Sequence, residues 1–149
     1  MGWLVPVYVA ETDAQARAEY EPHLWYFARK LLPGINISPP GYTSARSALK
    51  VMGAFGDFLL NVTTWEQVVE GDYAIVGSPA TVRAKMAGLM RALGVGNVLT
   101  LLQLGTLPAD LTRRNMELFA AEVMPGLRRE FGSAVDAPAP AAPGEARHA

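Results

Sequence analysis

The sequence predicts an α/β fold assembled from strand–helix units, and three observations carry that prediction. Two apolar runs of strand length are bounded by turn or capping residues: Trp3-Leu4-Val5-Pro6-Val7-Tyr8-Val9-Ala10 and Asn97-Val98-Leu99-Thr100-Leu101-Leu102-Gln103-Leu104. Segments with apolar residues three and four apart follow them, the spacing of amphipathic helices. A further unit opens at Tyr73-Ala74-Ile75-Val76-Gly77-Ser78-Pro79 and closes at Asn115-Met116-Glu117-Leu118-Phe119-Ala120-Ala121-Glu122-Val123-Met124-Pro125. Strands alternating with helices indicate a parallel sheet. The order reads as a βα piece of a larger α/β protein.

Taken in chain order, the first strand spans residues 4–9. Pro6 cannot donate to a ladder, which predicts an edge strand or one that begins there. Thr12 caps the following helix, with Gln15 three positions on as the second half of a capping box. This helix spans residues 13–32 and stops at Pro33-Gly34, with a kink or break near Glu21 ahead of Pro22. Residues 35–71 read as an irregular insertion. Within it, the spacing of Ala45, Leu49 and Met52 predicts a short helix over Ser44 to Phe55 with these residues inward, and Thr64 is expected to cap another with Gln67 at its third position. Insertions of this kind often serve as lids.

Gly77-Ser78-Pro79 starts the next helix, with Ser78 as cap and Pro79 at the first helical position. Val82, Met86, Leu89, Met90 and Leu93 form its apolar face, and Gly94 ends it. The second long apolar run spans residues 97–104 and is apolar enough to be covered on both faces. The final helix spans residues 109–131, with Met116, Phe119, Val123 and Leu127 inward and a bend at Pro125. Residues 133–149 are rich in alanine and proline without apolar periodicity, a composition expected to remain a disordered tail.

Composition narrows the function. The chain has 149 residues, enough for one domain with a core, at 50% hydrophobic and 18% charged content. So apolar a chain is expected to have surface that partners or further strands cover. A formal net charge of −1 leaves no basic footprint for nucleic acid. Cysteine is absent, which removes disulfides, thiolate ligands and cysteine nucleophiles and suits a cytoplasmic location. With only His23 and His148 as imidazoles, no metal site is expected. The apolar N-terminal stretch lacks a basic start and is too short to span a bilayer, so no membrane partner is expected.

Three phrases, taken together and in this order, resemble the C-terminal part of the bacterial luciferase-like monooxygenases. They are Val5-Pro6-Val7-Tyr8-Val9-Ala10-Glu11-Thr12-Asp13, Ala74-Ile75-Val76-Gly77-Ser78-Pro79-Ala80-Thr81-Val82, and Asn115 through Pro125. The resemblance covers residues 4–129. It implies the C-terminal βα units of a (β/α)8 TIM barrel of the luciferase-like type, here an incomplete barrel, since a complete one needs ~250 residues. It also implies reduced FMN, or a deazaflavin, as cofactor. The implied reaction inserts one oxygen atom from O2 into a small organic substrate. The alternative is a non-catalytic remnant, or a module that dimerises or completes another chain. A homo-oligomer or a complementing N-terminal half is then the expected partner.

Barrel enzymes place their chemistry at the C-terminal ends of the strands. Glu11 and Thr12 follow the first strand, and Gln103 and Gly105 end the long apolar run at 97–104. Gln103 is suited to hydrogen-bond a flavin edge or a substrate carbonyl; its plainer role is to satisfy a neighbouring backbone group. Glu11 is more often a surface carboxylate near a helix start. Ser78 heads a helix whose free N–H groups suit a phosphate, although any well-capped helix presents the same groups. His23, beside Trp25, Tyr26 and Phe27, reads as packing rather than as a general base. Arg46 and Lys50 share a face of the insertion, where a solvated surface is commoner than an anion contact. No catalytic triad, metal-ligand set or dinucleotide fingerprint is present.

Overall fold

The computed structural model describes residues 2–32, 61–95 and 97–132. Among them three parallel strands form one open sheet in the order β2-β1-β3. The strands are β1 (Gly2–Val9), β2 (Ile75–Gly77) and β3 (Asn97–Leu101). The helices are α1 (Asp13–Tyr26), α2 (Trp65–Glu70), α3 (Pro79–Leu93), α4 (Ala109–Leu118) and α5 (Met124–Phe131). The expected parallel pairing of the first strand with the 97–104 run is present. Three differences stand beside it. The run ends as a strand at Leu101, Ile75–Gly77 is a strand in its own right, and β1 is central rather than at an edge.

Pro6 explains how a central strand tolerates a missing donor. Residues 2–6 of β1 pair with β3, from Gly2↔Asn97 to Pro6↔Leu101. Residues 7–9 pair with β2, from Val7↔Ile75 to Val9↔Gly77. Backbone groups alternate sides along a strand. The Ala10 N–H donates to the Gly77 carbonyl at 3.2 Å, so even-numbered residues of β1 turn their backbone groups toward β2. Pro6 is one of these, and it lies one residue ahead of the first β2 pair. Its absent N–H therefore falls where the ladder has not yet begun.

Side chains of β1 alternate between two cores. Val5, Val7 and Val9, with Ile75, pack against Val82 and Met86 of α3 and against Phe119, Val123 and Leu127 of the C-terminal helix. Tyr8 and Ala10, with Val76, share the other core with Ala16, Tyr20 and Leu24 of α1 and Trp65 and Val68 of α2. The sheet is therefore sandwiched between helical layers. The strand order accounts for this: the crossovers from β1 to β2 and from β2 to β3 run in opposite directions across the sheet. Crossovers of one hand then place their helices on opposite faces. Where β1 and β3 begin, the α1 face is open among the described residues. The cross-strand pair Leu4 and Leu99 there is 64% and 57% exposed, so β3 is not covered on both faces.

The helix ends follow the expected chemistry with two corrections. Thr64 and Gln67 form a complete reciprocal capping box, and Ser78 caps α3, which Gly94 ends in the left-handed conformation at φ 59°. Thr12 caps α1 by accepting from Gln15 N–H at 3.2 Å. The Gln15 side chain does not complete a box; it donates to Glu19 at 3.0 Å instead. α1 runs through Pro22 without a break at Glu21, and its ladder widens later, in a π-helical turn at Phe27–Leu31 where Leu32 N–H reaches Phe27 O. A second π turn, Phe119–Val123, precedes Met124-Pro125 and is the interruption expected near Pro125. On the apolar faces, Phe119, Val123 and Leu127 are buried as expected, whereas Met116 is 52% and Leu93 50% exposed. The proposed helix at Ser44 to Phe55, most of the 35–71 insertion and the 133–149 tail lie outside the described residues.

Candidate functional site

The C-terminal ends of the three strands are the place to look for chemistry in a parallel sheet. Three groups of side chains gather around them.

The first joins the ends of β1 and β2. Asp13, in the first turn of α1, accepts from Ser78 N–H at 2.6 Å through Oδ1 and from the Thr81 hydroxyl at 3.1 Å through Oδ2. Ser78 itself donates its hydroxyl to Thr81 Oγ1 at 3.0 Å and accepts from Thr81 N–H at 3.4 Å. The backbone donor of Ser78, aided by the Thr81 hydroxyl, holds the Asp13 carboxyl below its ordinary value against the opposing effect of burial. Gly77 makes the approach possible, because a Cβ there would stand 2.6 Å from Asp13 Oδ1. The start of α3 thus already holds an anion supplied by the chain itself.

The second group links β1, α1 and α4. The Tyr8 hydroxyl donates to Glu19 Oε2 at 2.7 Å, Gln15 donates to Oε1, and the Arg114 guanidinium bonds both carboxylate oxygens. Burial raises the Glu19 carboxyl, but the bonds from Arg114, Gln15 and Tyr8 together outweigh it and hold the group below its ordinary range. Burial, then the Glu19 bond and charge, push the Tyr8 phenol far up, so it remains a donor. The Arg114 guanidinium is raised by Glu19 first and also by the charge of Glu11. Tyr20 stacks on Tyr8 with ring centroids 5.1 Å apart. Burial raises its phenol too, and its hydroxyl has no hydrogen-bond partner among the described residues.

The third is Asn115, the one buried polar side chain of the described core, fully enclosed. Its Oδ1 accepts from Val9 N–H at 2.8 Å, and its Nδ2 donates to Val7 O at 3.1 Å and Leu102 O at 2.8 Å. In a parallel ladder, one residue of a neighbouring strand bonds the carbonyl before and the amide after its opposite number. The Asn115 amide does this for Tyr8, standing in for a strand residue beyond the end of β3.

The four sequence candidates are placed as follows. Ser78 is a cap and a ligand of Asp13. Gln103 is exposed, and its amide donates to Gly105 O at 3.1 Å, the local backbone role. Gly105 takes φ +56° in the turn after β3 and faces α1, with Phe27 Cβ 3.5 Å and His23 O 3.6 Å from where its Cβ would be. Glu11 is exposed and lies within electrostatic reach of Arg114. His23 Nδ1 meets Thr106 Oγ1 at 2.9 Å. Arg46 and Lys50 lie outside the described residues. Tyr8, Asp13, Glu19, Arg114 and Asn115 were not singled out from sequence. Asp13 and Glu19 had one signal, the polar residues that alternate with alanine at 11–19 just after an apolar strand; Tyr8, Arg114 and Asn115 had none of that kind. Among the described residues, no three His, Asp or Glu side chains gather to hold a metal ion.

In sequence, no family model matches the chain and no curated protein does. In structure it is similar to the monooxygenase RslO1 from Streptomyces bottropensis, with TM-score 0.55 and 22% identity over 85% of this chain. It is likewise similar to a type II Baeyer–Villiger monooxygenase, the oxygenating constituent of 3,6-diketocamphane monooxygenase from the CAM plasmid of Pseudomonas putida, solved in complex with FMN. There the TM-score is 0.55 and identity 23% over 83% of this chain. The chain spans about a third of the length of these two structures, 30% and 33%. The shared fold is α/β with parallel strands, a partial match to luciferase-like barrels.

Proposed function

We propose that the chain serves a luciferase-like, flavin-dependent monooxygenation, acting with FMN or a deazaflavin, O2 and a small organic substrate. The observation that carries this reading is the fold shared with two monooxygenases over more than four fifths of the chain, one of them holding FMN. Bound flavin supplies the oxygen-activating chemistry in such a reaction, and the protein contributes position and exclusion of water. The residues at the start of α3 do not fit the flavin phosphate. Asp13 already takes the Ser78 N–H and the Thr81 hydroxyl, and its carboxylate would repel a second anion.

A second reading, that the chain is a non-catalytic module which dimerises or completes another chain, is favoured by a specific observation. The polar groups at the strand ends are engaged with one another: Asp13 with Ser78 and Thr81, Glu19 with Arg114 and Tyr8, and Gln103 with Gly105. Both readings predict little turnover by the isolated chain, because a catalytic pocket must hold its reactants in reacting geometry. They differ in flavin binding. Quenching of FMN fluorescence by the full chain, alone and in the assembly in which it is purified, separates them. Saturable quenching in either preparation supports the flavoprotein reading. No quenching in both rejects it. Product from reduced FMN, O2 and an aldehyde or sulfonate, above the flavin background and with the chain alone, would overturn the module.

A further inference from the structure

α1 crosses the C-terminal end of the sheet, and its two halves are held differently. The first half carries two charged anchors, Asp13 on Ser78 and Thr81, and Glu19 on Arg114 and Tyr8. The second half lies over the turn that joins β3 to α4. Leu24 belongs to one apolar cluster with Leu104 and Leu107, and Phe27 packs against that cluster. The backbone of His23 and the side chains of Phe27 and Leu31 border Gly105, and His23 Nδ1 meets Thr106 Oγ1 at 2.9 Å. Among the described residues its other polar contacts do not reach the turn: Trp25 Nε1 donates to Glu21 across Pro22 at 3.2 Å, one helical turn back, and Arg29 lies over the Trp25 ring. Pro22 divides the halves. It has no N–H to give to the Ala18 carbonyl, which removes one rung of the ladder at that point. The second half then passes into the π turn at Phe27–Leu31, a geometry frequent at functional sites.

We propose that residues 23–31 form a strap over the strand-end turn at Gly105 and Thr106. The strap lifts about Pro22 while residues 13–19 remain anchored. The elements beneath it are the turn and strand end where a parallel sheet receives ligands. That the strap admits a flavin rests on the reading above; that it moves as a unit does not. Apolar contacts and a single side-chain hydrogen bond to the turn suit a local opening below the cost of global unfolding.

Hydrogen exchange of the full chain, resolved into peptides covering 13–20 and 24–31, tests the strap. Amides at 24–31 should exchange at least about tenfold faster than those at 13–20. Thr106→Val should accelerate 24–31 by a further roughly three- to tenfold, the effect of one lost hydrogen bond, and leave 13–20 unchanged. Equal exchange in the two segments, or a Thr106→Val effect on both or on neither, would overturn the proposal. The wild-type profile stands if the variant fails to fold. FMN added to the same experiment bears on the flavin reading alone: a strap that opens without responding to FMN leaves the strap standing and counts against flavin.

Discussion

Asn115 shows how much one side chain can decide. Its amide saturates Val7 O, Val9 N–H and Leu102 O in a site without solvent. Asn115→Ala leaves all three unpaired and should cost about 3 kcal/mol or more in urea denaturation. Asn115→Asp keeps the shape but turns an oxygen toward two carbonyls, and should destabilise as well. The apolar stripe reads equally well from Met116 by spacing. Burial goes to Asn115 because the strand ends there need donors and acceptors, a demand that hydrophobic periodicity does not register. Gly77 is a second such position. Its partner Asp13 is 64 residues away in sequence, so the tight approach is visible only in three dimensions. Gly77→Ala forces a methyl group against the carboxylate and should cost about 1–3 kcal/mol in a thermal or urea melt. Asp13 and Glu19 also predict the acid limb. Their carboxyls are held below ordinary values in the folded state. Their contribution is therefore complete above the unfolded carboxylate range near pH 4 and is lost as pH falls through the lowered folded values. Melts of wild type and Asp13→Asn between about pH 2 and 6 should converge at the acid end.

At the scale of elements, capping chemistry was legible because it is local. Thr64 and Gln67, and Ser78 with Pro79, lie within a few residues of the groups they satisfy. Replacing both Thr64 and Gln67 by alanine should cost about 1 kcal/mol in the same melts, the ordinary value of a cap. β2 was harder to read, since three residues, Ile75–Gly77, are too few to show a period. The edge position inferred for β1 from Pro6 failed for a different reason. The rule assumes that one partner runs the length of each side, whereas β1 takes β3 for its first residues and β2 for its last. Gln103 separates the two functional readings at this scale. It is exposed and, among the described residues, bonded only locally to Gly105 O, so Gln103→Ala should change stability by less than about 0.5 kcal/mol. Loss of FMN quenching in that variant would then point to direct contact with the cofactor.

For the molecule as a whole, the α/β class and the parallel pairing of β1 with β3 follow from apolar runs and their caps. The helical layers on both faces do not, because they depend on strand order, which no local pattern encodes. Among the described residues no helix is long and apolar enough to cross a membrane. The high apolar content finds a structural counterpart in the exposed Leu4 and Leu99 pair and in the outer edges of β2 and β3. Surfaces of this kind associate. Size-exclusion chromatography with light scattering at micromolar concentration should therefore show a homo-oligomer, an aggregate or a complex with a complementing chain. A monodisperse monomer with one cooperative thermal transition would show that the exposed leucines and strand edges need no partner.

The Asn115 amide also dictates where another chain can join. It fills the slot beside Tyr8 that an incoming peptide backbone would need, on the flank of β1 beyond the reach of β3. A strand donated from outside is thereby barred from wedging between the existing ones. The outer margins of β2 and β3 carry no such plug among the described residues, so past the end of β3 the sheet grows at its borders and not beside Tyr8.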